Sequence, residues 1–321
     1  MGPMDPVAPP PPPAAQPVGP VACKRHPNVQ TMLRCVRCGD PICPDCMRPA
    51  AVGYQCPDCA RGSRQEFHQP GRQIGTTGRG LTVTNALIAV MVGIYLVGVA
   101  LSGAGSLVGG ASNKVMVQLG ADNPLLIANG EYWRLFTNMF LHFGILHLAL
   151  NMYALFIIGN VVEVELGRAR FIGLFLVTGF AASAVAYWLT PPIVAVPGGF
   201  IPQISAGASG AIFGLFGVFF AYNYRRRHLA FYAGRMRQML MLIVINLVFT
   251  FSIPGISWQA HIGGLVAGVV AGYAVDGFGS RVSRSVGLAT ALVGLVALSV
   301  IIVVMRTAEL HATLPASFFR G

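Results

Sequence analysis

The sequence has few charged residues. Asp, Glu, Lys and Arg make up only 10% of its 321 residues, whereas 54% are hydrophobic and the mean hydropathy is +0.63. Because soluble globular proteins contain about 25% charged residues, this shortage excludes an ordinary water-exposed surface. The apolar residues are also grouped into long runs, as expected where lipid surrounds whole helices. The composition therefore predicts a membrane protein with several spans.

Cysteine is absent beyond Cys59. All seven cysteines lie between Cys23 and Cys59, and no apolar core of a secretion signal precedes them. We therefore expect the N-terminal region to stay in a reducing cytoplasm, where disulfides are rare. A disulfide framework is the alternative, but the odd number of cysteines and the cytoplasmic placement disfavour it.

Seven apolar runs follow residue 80, each close to the roughly 20 residues that cross a bilayer. With the N-terminal region inside, the cytoplasmic connections hold nine arginines, and the outward ones hold two basic residues before the C-terminal tail. This bias follows the positive-inside rule, which explains the net charge of +11 better than nucleic-acid binding does. The predicted spans are 81–103, 138–160, 170–190, 206–223, 238–254, 260–277 and 286–306. The nine arginines are Arg168, Arg170, Arg225, Arg226, Arg227, Arg235, Arg237, Arg281 and Arg284, and the outward pair is Lys114 and Arg134.

Eight candidate metal ligands occur in four pairs before the first span. Two residues separate the members of each pair, so one tight turn can bring both to one metal ion. Eight Cys and His ligands suit two tetrahedral zinc ions, and a segment of about 40 residues with few large apolar residues needs such bonds to fold. We expect the zinc to be structural, because no ligand position is left open. The pairs are Cys23 and His26, Cys35 and Cys38, Cys43 and Cys46, and Cys56 and Cys59.

The spacing of these pairs resembles the B-box zinc-finger family. The resemblance implies that the first and third pairs share one ion and that the second and fourth share the other; pairing of successive pairs is the alternative. We favour a protein partner for the finger, since its basic residues are dispersed and no aromatic platform for nucleic acid is visible. The finger could instead sense zinc or keep the N-terminus soluble.

Among the polar side chains in the apolar spans, where such groups are costly and indicate function, four stand out. His147 and Asn151 belong to the second span, Ser209 to the fourth and His261 to the sixth, all toward the outer half of the membrane. A serine becomes an effective nucleophile when a histidine takes its proton. His147 and Asn151 share a helix face and can donate hydrogen bonds to an oxyanion. The set therefore predicts acyl-transfer chemistry, with Ser209 and His261 catalytic.

Each of these residues also has a simpler interpretation. A serine among glycines and alanines is most often a packing residue, and an isolated intramembrane His or Asn is often an interhelical hydrogen-bonding group. We interpret His142, also assigned to the second span, as a structural partner near the helix end. The joint arrangement favours the catalytic interpretation. Stripes of glycine add to it, because Gly210, Gly214 and Gly217 in one span and Gly264 and Gly268 in another allow close helix approach.

Together these motifs resemble the rhomboid family of intramembrane serine proteases over about residues 81–280. They are Trp133 and Arg134, His147 and Asn151, Gly207, Ser209 and Gly210, and His261, Gly264 and Gly268. The resemblance implies a six-helix core, a Ser–His dyad, and cleavage of the transmembrane segments of other proteins near the outer leaflet. A span at 286–306 resembles the arrangement with one additional C-terminal helix. Many members have Tyr four residues after the serine, whereas this sequence has Phe213, which keeps ring stacking on His261 but loses the hydroxyl.

We therefore predict an all-α polytopic membrane protein with five segments. They are a disordered Pro- and Ala-rich tail at 1–20, a zinc finger at 21–60, a flexible basic linker at 61–80, a rhomboid protease core at 81–280, and a seventh transmembrane helix with a short tail at 281–321. The expected location is the cell membrane, with the N-terminus cytoplasmic. The expected partners are the lipid bilayer and transmembrane protein substrates.

Two further functions compete with the protease. A non-catalytic rhomboid-like protein that binds client transmembrane segments is the main alternative; such relatives typically lack the serine or the histidine, and this chain has both. A transporter is disfavoured because no charged residue lies in mid-span and no inverted repeat is apparent. No acidic residue occurs in the outward halves of the second, fourth or sixth span, so we expect packing to orient His261.

Overall fold

The structure, a computed structural model, divides into two compact units, Met1–Gly80 and Leu81–Gly321. It describes residues 19–50, 52–62, 82–103, 105–197, 199–227, 230–252, 256–275 and 281–319, without the side chains of residues 230–233, 235, 249 and 281–284. Nearly all of the expected tail at 1–20 and linker at 61–80 lies outside the described residues.

The N-terminal unit consists of two short hairpins around a core of cysteine side chains. Strand β1 (Val21–Ala22) pairs antiparallel with β2 (Gln30–Thr31), and β3 (Arg48–Pro49) pairs antiparallel with β4 (Tyr54–Gln55). A 3-10 turn covers Pro44–Cys46, and helix α1 covers Pro57–Gly62. Apart from Ile42, the fully buried members of the core cluster are all cysteines. So small an apolar core stabilises a fold only weakly.

The second unit is built from long helices, with short helices and one hairpin on the connections. The helices are α2 (Val83–Ser102), α3 (Ser106–Gly109), α4 (Asn113–Leu119), α5 (Pro124–Ala128), α6 (Arg134–Thr137), α7 (Ile145–Leu166), α8 (Arg168–Leu189), α9 (Ser209–Tyr224), α10 (Ala230–Ser252), α11 (Trp258–Val275) and α12 (Arg281–Thr313). Strands β5 (Ile193–Val196) and β6 (Gly199–Pro202) form the antiparallel hairpin. Short 3-10 turns cover Asn138–Phe140 and Ala316–Phe319.

The long helices confirm the predicted all-α polytopic membrane fold. Among the residues that the structure describes, five helices are long and apolar enough to cross a bilayer: α2, α7, α8, α11 and the part of α12 from Ser285 to Thr313. Helix α9 has 16 residues, and the apolar part of α10 covers Met236–Val248. Helix α9 contacts α7, α8, α10 and α11, so its position is central.

The second long helix begins later than predicted. The expected start at residue 138 is wrong, because residues 134–140 form α6 and a 3-10 turn, and the transmembrane helix starts at Ile145 after an extended Gly144. Asn138 supports this break: its side-chain amide donates to the Arg134 carbonyl at 2.7 Å and to Ser183 Oγ at 3.1 Å. Hydropathy could not reveal the break, because a buried side chain satisfies the local polar groups. His142 consequently precedes the helix. Its ring is buried and makes an edge-to-face contact with the His147 ring.

Helices α9 and α11 approach through their glycine stripes. A Cβ added to Gly264 would overlap the backbone carbonyl of Gly210, and one added to Gly268 would overlap that of Gly214. Small residues let membrane helices pack at backbone contact, as the stripes predict. The two helices that carry Ser209 and His261 are thereby held side by side.

The connection between α2 and α7 is tied to the segment that precedes α9. Arg134 is almost fully buried, and its guanidinium donates to the carbonyls of Val117 at 2.7 Å and Ala121 at 3.0 Å. Asp122 and Ser205 exchange two backbone hydrogen bonds of 2.9 and 3.0 Å. This pairing fixes the chain four residues before Ser209.

Helix α12 packs against α8 and α5. The hydroxyls of Tyr187 and Thr307 are hydrogen-bonded at 3.0 Å, and His311 Nε2 lies 2.9 Å from the carbonyl oxygen of Ala128. Leu310, which is buried, belongs to the same apolar cluster as Ile127. The additional C-terminal helix is therefore an integral part of this unit.

A buried carboxylate joins α7 to the start of α2. The Glu163 carboxylate accepts hydrogen bonds from Val83 N at 2.9 Å, Thr84 N at 2.8 Å and Thr84 Oγ1 at 2.7 Å. It therefore satisfies amides that the first turn of a helix leaves without partners, and its charge suits a helix N-terminus.

We predict that Glu163→Gln lowers the free energy of unfolding by about 1–3 kcal/mol, because the neutral amide accepts through one oxygen and leaves a buried donor unpaired. Glu309→Gln is the control, since its carboxylate is 51% exposed and its ion pair with Arg306 should contribute less than about 1 kcal/mol. The measurement is unfolding of each variant in mixed micelles. Equal stability of Glu163→Gln and wild type would contradict the assignment.

Candidate active site and candidate metal sites

Ser209 is the first residue of α9 and is partly exposed. Gly207, two residues earlier, has φ +145°, a backbone conformation that residues other than glycine rarely adopt. Its amide donates to the Asn138 carbonyl at 2.9 Å, and a Cβ there would lie only 2.9 Å from His147 Cε1. The glycine thus allows the chain to turn into α9 directly against His147, which presents Ser209 at the helix start.

His261 lies in the first turn of α11, within hydrogen-bond distance of Ser209. Its Nε2 is 2.7 Å from Ser209 Oγ, although the two residues are 52 positions apart. The imidazole is well buried, since only 6% of His261 is exposed. This distance lies within the range that a general base needs to take a proton from a nucleophile. The arrangement can therefore carry out proton transfer from the serine to the histidine.

Two further side chains hold the His261 ring. Phe213 stacks on it with ring centroids 4.3 Å apart and planes 16° from parallel. The predicted stacking of Phe213 is therefore present. At the other ring nitrogen from the one that faces Ser209, Thr250 Oγ1 lies 2.6 Å from His261 Nδ1. The expectation that packing alone orients His261 was incomplete, because a hydrogen-bonding group on α10 also contacts it.

Sequence reasoning missed Thr250, although a usable signal was present. Thr250 is a polar residue in an apolar span, the same type of signal that singled out Ser209. Threonine, however, often satisfies its hydroxyl on the carbonyl four residues earlier and then carries no function. Only the fold shows that this hydroxyl also faces His261.

His147 and Asn151 have different surroundings. A Cβ at Gly207 would be 3.0 Å from His147 Nε2 and 3.7 Å from Ser209 Oγ, so the imidazole and the hydroxyl flank the same backbone position. The Asn151 side chain donates one hydrogen bond to the His147 carbonyl, at 2.9 Å, within its own helix. Because a side-chain amide has two N–H groups, one remains for another acceptor.

The start of α9 provides a further donor that sequence reasoning did not include. The first amides of an α-helix have no carbonyl partner within the helix, and Ser209 occupies the first position of α9. The positive end of the helix dipole lies at the same place. A negative charge that develops beside Ser209 would therefore meet backbone donors as well as His147.

Comparison with known proteins also relates the residues around Ser209 and His261 to the rhomboid family. Residues 129–278 match the rhomboid domain family. The matches support the rhomboid family for this chain. The matched residues include His147, Asn151, Ser209, Thr250 and His261, whereas α2 and α12 lie outside them.

The curated relatives of this region come from bacteria and plants, among other organisms. Rhomboid protease GluP of Bacillus subtilis (strain 168) is 37% identical over 192 residues, which is 58% of this chain and 36% of GluP. Putative rhomboid protease YdcA of the same organism is 32% identical over 143 residues, 44% of this chain and 66% of YdcA. RHOMBOID-like protein 5 of Arabidopsis thaliana is 33% identical over 167 residues, 51% of this chain and 50% of that protein. The chain thus spans between about a third and two thirds of these relatives.

The eight candidate metal ligands precede the residues that match the rhomboid domain family, and they form two clusters. Cys23, His26, Cys43 and Cys46 form one, and Cys35, Cys38, Cys56 and Cys59 form the other. Within each cluster the ligand atoms all lie within 4.8 Å of one another. The first pair is therefore grouped with the third and the second with the fourth, and the alternative of successive pairing is not observed.

The spacing within each cluster suits a tetrahedral metal ion. The Sγ atoms of Cys23 and Cys46 are 3.9 Å apart, and those of Cys38 and Cys56 are 3.8 Å apart. Zinc–sulfur bonds of about 2.3 Å at tetrahedral angles place two sulfurs about 3.8 Å apart, whereas a disulfide requires about 2.05 Å. All seven cysteines are free. His26 directs Nδ1 at the sulfurs of Cys43 and Cys46, at 3.2 and 3.4 Å.

Proposed function

We propose that this protein is an intramembrane serine endopeptidase that cleaves transmembrane segments of other membrane proteins. The main support is the 2.7 Å contact between Ser209 Oγ and His261 Nε2 inside a unit of membrane-spanning helices. The rhomboid domain match and the relatives named as rhomboid proteases support intramembrane proteolysis at the level of the family.

Acylation begins when Ser209 Oγ attacks the scissile carbonyl carbon and His261 Nε2 takes the hydroxyl proton. The carbonyl oxygen then carries the negative charge of a tetrahedral intermediate. Collapse of this intermediate breaks the C–N bond, and His261 returns its proton to the leaving amine. The fragment with the new N-terminus departs, and the remaining fragment stays as an ester on Ser209.

Hydrolysis of the ester repeats these steps with water as the nucleophile. His261 takes a proton from the water, the oxygen of which attacks the ester carbonyl, and then returns that proton to Ser209 Oγ as the carboxylic acid leaves. In both halves the oxyanion is stabilised by the Ser209 amide, His147 and the remaining N–H of Asn151. Preorganised donors of this kind are among the largest contributors to acyl-transfer catalysis.

The proposed orientation places the N-terminal unit in the cytoplasm and the active site toward the outer leaflet. It is supported by the nine arginines on one set of connections against two basic residues on the opposite set. The start of α9 and the α8–α9 connection with its uncharged β5–β6 hairpin would face outward. Substrate segments would therefore be cut near their outer ends.

For the N-terminal unit we propose a B-box-type finger with two structural zinc ions, one in each cluster. Four ligands in each cluster and the tetrahedral spacing of their sulfurs support this assignment. Zinc would supply the bonds that the small apolar core lacks. We propose a protein as the partner of this finger.

The oxyanion assignment predicts the kinetics of two variants. His147→Ala and Asn151→Ala should each lower kcat by about 10²–10³-fold, because each removes a donor that binds the oxyanion more strongly than the ground-state carbonyl. KM should change much less, since ground-state binding is retained. The measurement is cleavage of a transmembrane substrate in proteoliposomes. A rise in KM at unchanged kcat would instead assign these residues to substrate binding.

The activity itself is tested by labelling the purified, detergent-solubilised protein with a fluorophosphonate, which reacts with activated serines. We expect labelling of the folded wild type and none after heat denaturation. A folded wild type that does not label would favour the competing function, a rhomboid-like protein that binds client segments without cutting them.

A further inference from the structure

We propose that Thr250 is a positioning residue that holds His261 in the tautomer required for proton transfer from Ser209. This inference rests on the serine protease activity proposed above. It assigns to a threonine on α10 the role that a carboxylate has in a Ser–His–Asp triad, where the third residue orients the imidazole and selects its tautomer.

The position of one hydrogen atom carries the argument. Thr250 Oγ1 is 2.7 Å from the carbonyl oxygen of Asn246 and 2.6 Å from His261 Nδ1. A carbonyl can only accept, and a hydroxyl has a single hydrogen to donate. Both short contacts are hydrogen bonds only if Thr250 donates to Asn246 and accepts from a protonated Nδ1. In the opposite assignment two oxygen atoms would face each other at 2.7 Å without a hydrogen between them.

The tautomer then follows. A neutral imidazole carries one proton, so a proton on Nδ1 leaves Nε2 with its lone pair. Nε2 is the atom 2.7 Å from Ser209 Oγ, and it can accept the serine hydroxyl hydrogen. The chain of bonds runs from Ser209 through His261 and Thr250 to the Asn246 carbonyl.

The surroundings of Thr250 support this role. Only 4% of the residue is exposed, so water does not compete for its hydroxyl. Phe213 covers one face of the His261 ring and prevents it from tilting. Within the described part of the chain, the His261 side chain makes its short polar contacts with Ser209 and Thr250. A carboxylate at this place would bring a charge into an apolar span, whereas a hydroxyl bonded to its own helix brings none.

Thr250→Val tests the proposal, because valine keeps the branched shape and lacks the hydroxyl. We expect kcat to fall about 10- to 100-fold, the worth of one buried hydrogen bond and of the tautomer that it selects, with KM within about threefold of wild type. Thr250→Ser keeps the hydroxyl and should restore kcat to within about threefold of wild type.

Thr178→Val is a matched control. Thr178 is also fully buried, and it also donates to the carbonyl four residues earlier, at 2.8 Å from Leu174 O. It lies on α8 and has no described contact with His261. This variant should keep wild-type kcat. A loss of kcat equal to that of Thr250→Val would assign the effect to helix packing and overturn the proposal, as would failure of Thr250→Ser to restore activity in a folded protein.

A second measurement uses the wild type and requires no turnover. In ¹⁵N spectra of histidine-labelled protein, the imidazole signals that disappear in His261→Ala belong to His261. We expect them to show the proton on Nδ1, and a proton on Nε2 would overturn the inference even if Thr250→Val does not fold. Because this readout is independent of cleavage, a wild type that fails to react with fluorophosphonate would reject the proposed function without deciding the role of Thr250.

Discussion

Replacing Ser209 by alanine is expected to abolish both fluorophosphonate labelling and substrate cleavage. The hydroxyl is the group that would form the acyl-enzyme, and no described side chain other than Ser209 is bonded to His261 Nε2. His261→Ala should have a similar effect, because an unassisted serine is a weak nucleophile. In catalytic sites that act as a unit, loss of either partner lowers kcat by about 10⁴-fold or more. Activity in both variants should therefore fall below detection.

The comparison needs a serine variant with the same chemical change elsewhere in a membrane helix. Ser299 on α12 is buried, and its hydroxyl donates to the Leu295 carbonyl at 2.8 Å. Ser299→Ala should label and cleave like wild type. Thermal unfolding of all variants in the same detergent checks that the inactive ones are folded. Turnover by folded Ser209→Ala at the wild-type rate would refute the mechanism.

Loss of one zinc ligand is expected to unfold the N-terminal unit and to leave the membrane unit folded. Structural zinc contributes about 10–16 kcal/mol to the folding of small fingers at neutral pH, far more than their apolar cores supply. Cys38→Ser replaces a thiolate with a poor zinc ligand, and Cys38 is one of the four candidate ligands in its cluster. Because Met1–Gly80 and Leu81–Gly321 are separate compact units, we expect the effect to stay within the first.

Metal analysis and limited proteolysis check this second prediction. We expect the wild type to contain two zinc ions per chain, and Cys38→Ser to contain fewer and to be cut rapidly within residues 19–62. The fluorophosphonate reaction of the membrane unit should not change. All seven cysteines belong to the two clusters, so the control is Asp45→Asn, which changes an exposed carboxylate beside the ligand Cys46. Unchanged zinc content in Cys38→Ser would refute the ligand assignment.

The sequence alone determined the type of fold and the residues to examine. Long apolar runs with only 10% charged residues require helices in lipid, because each uncompensated polar group in hydrocarbon is costly. The same cost makes Ser209, His147, Asn151 and His261 conspicuous. The spacing of the Cys and His pairs likewise identified the candidate metal ligands, because a tight turn would let two neighbouring ligands reach one ion. These constraints are local, because each of them depends on residues that are close together in the chain.

Only the tertiary structure decided which distant groups meet. It showed that the second transmembrane helix starts at Ile145, after a break in which the Asn138 side chain donates to the Arg134 carbonyl. It grouped the first Cys and His pair with the third. It also showed that Thr250 on α10 contacts His261 on α11. Such contacts depend on helix rotation and crossing, which hydropathy does not encode, since a threonine bonded only to its own helix and one that also holds a histidine look alike in sequence.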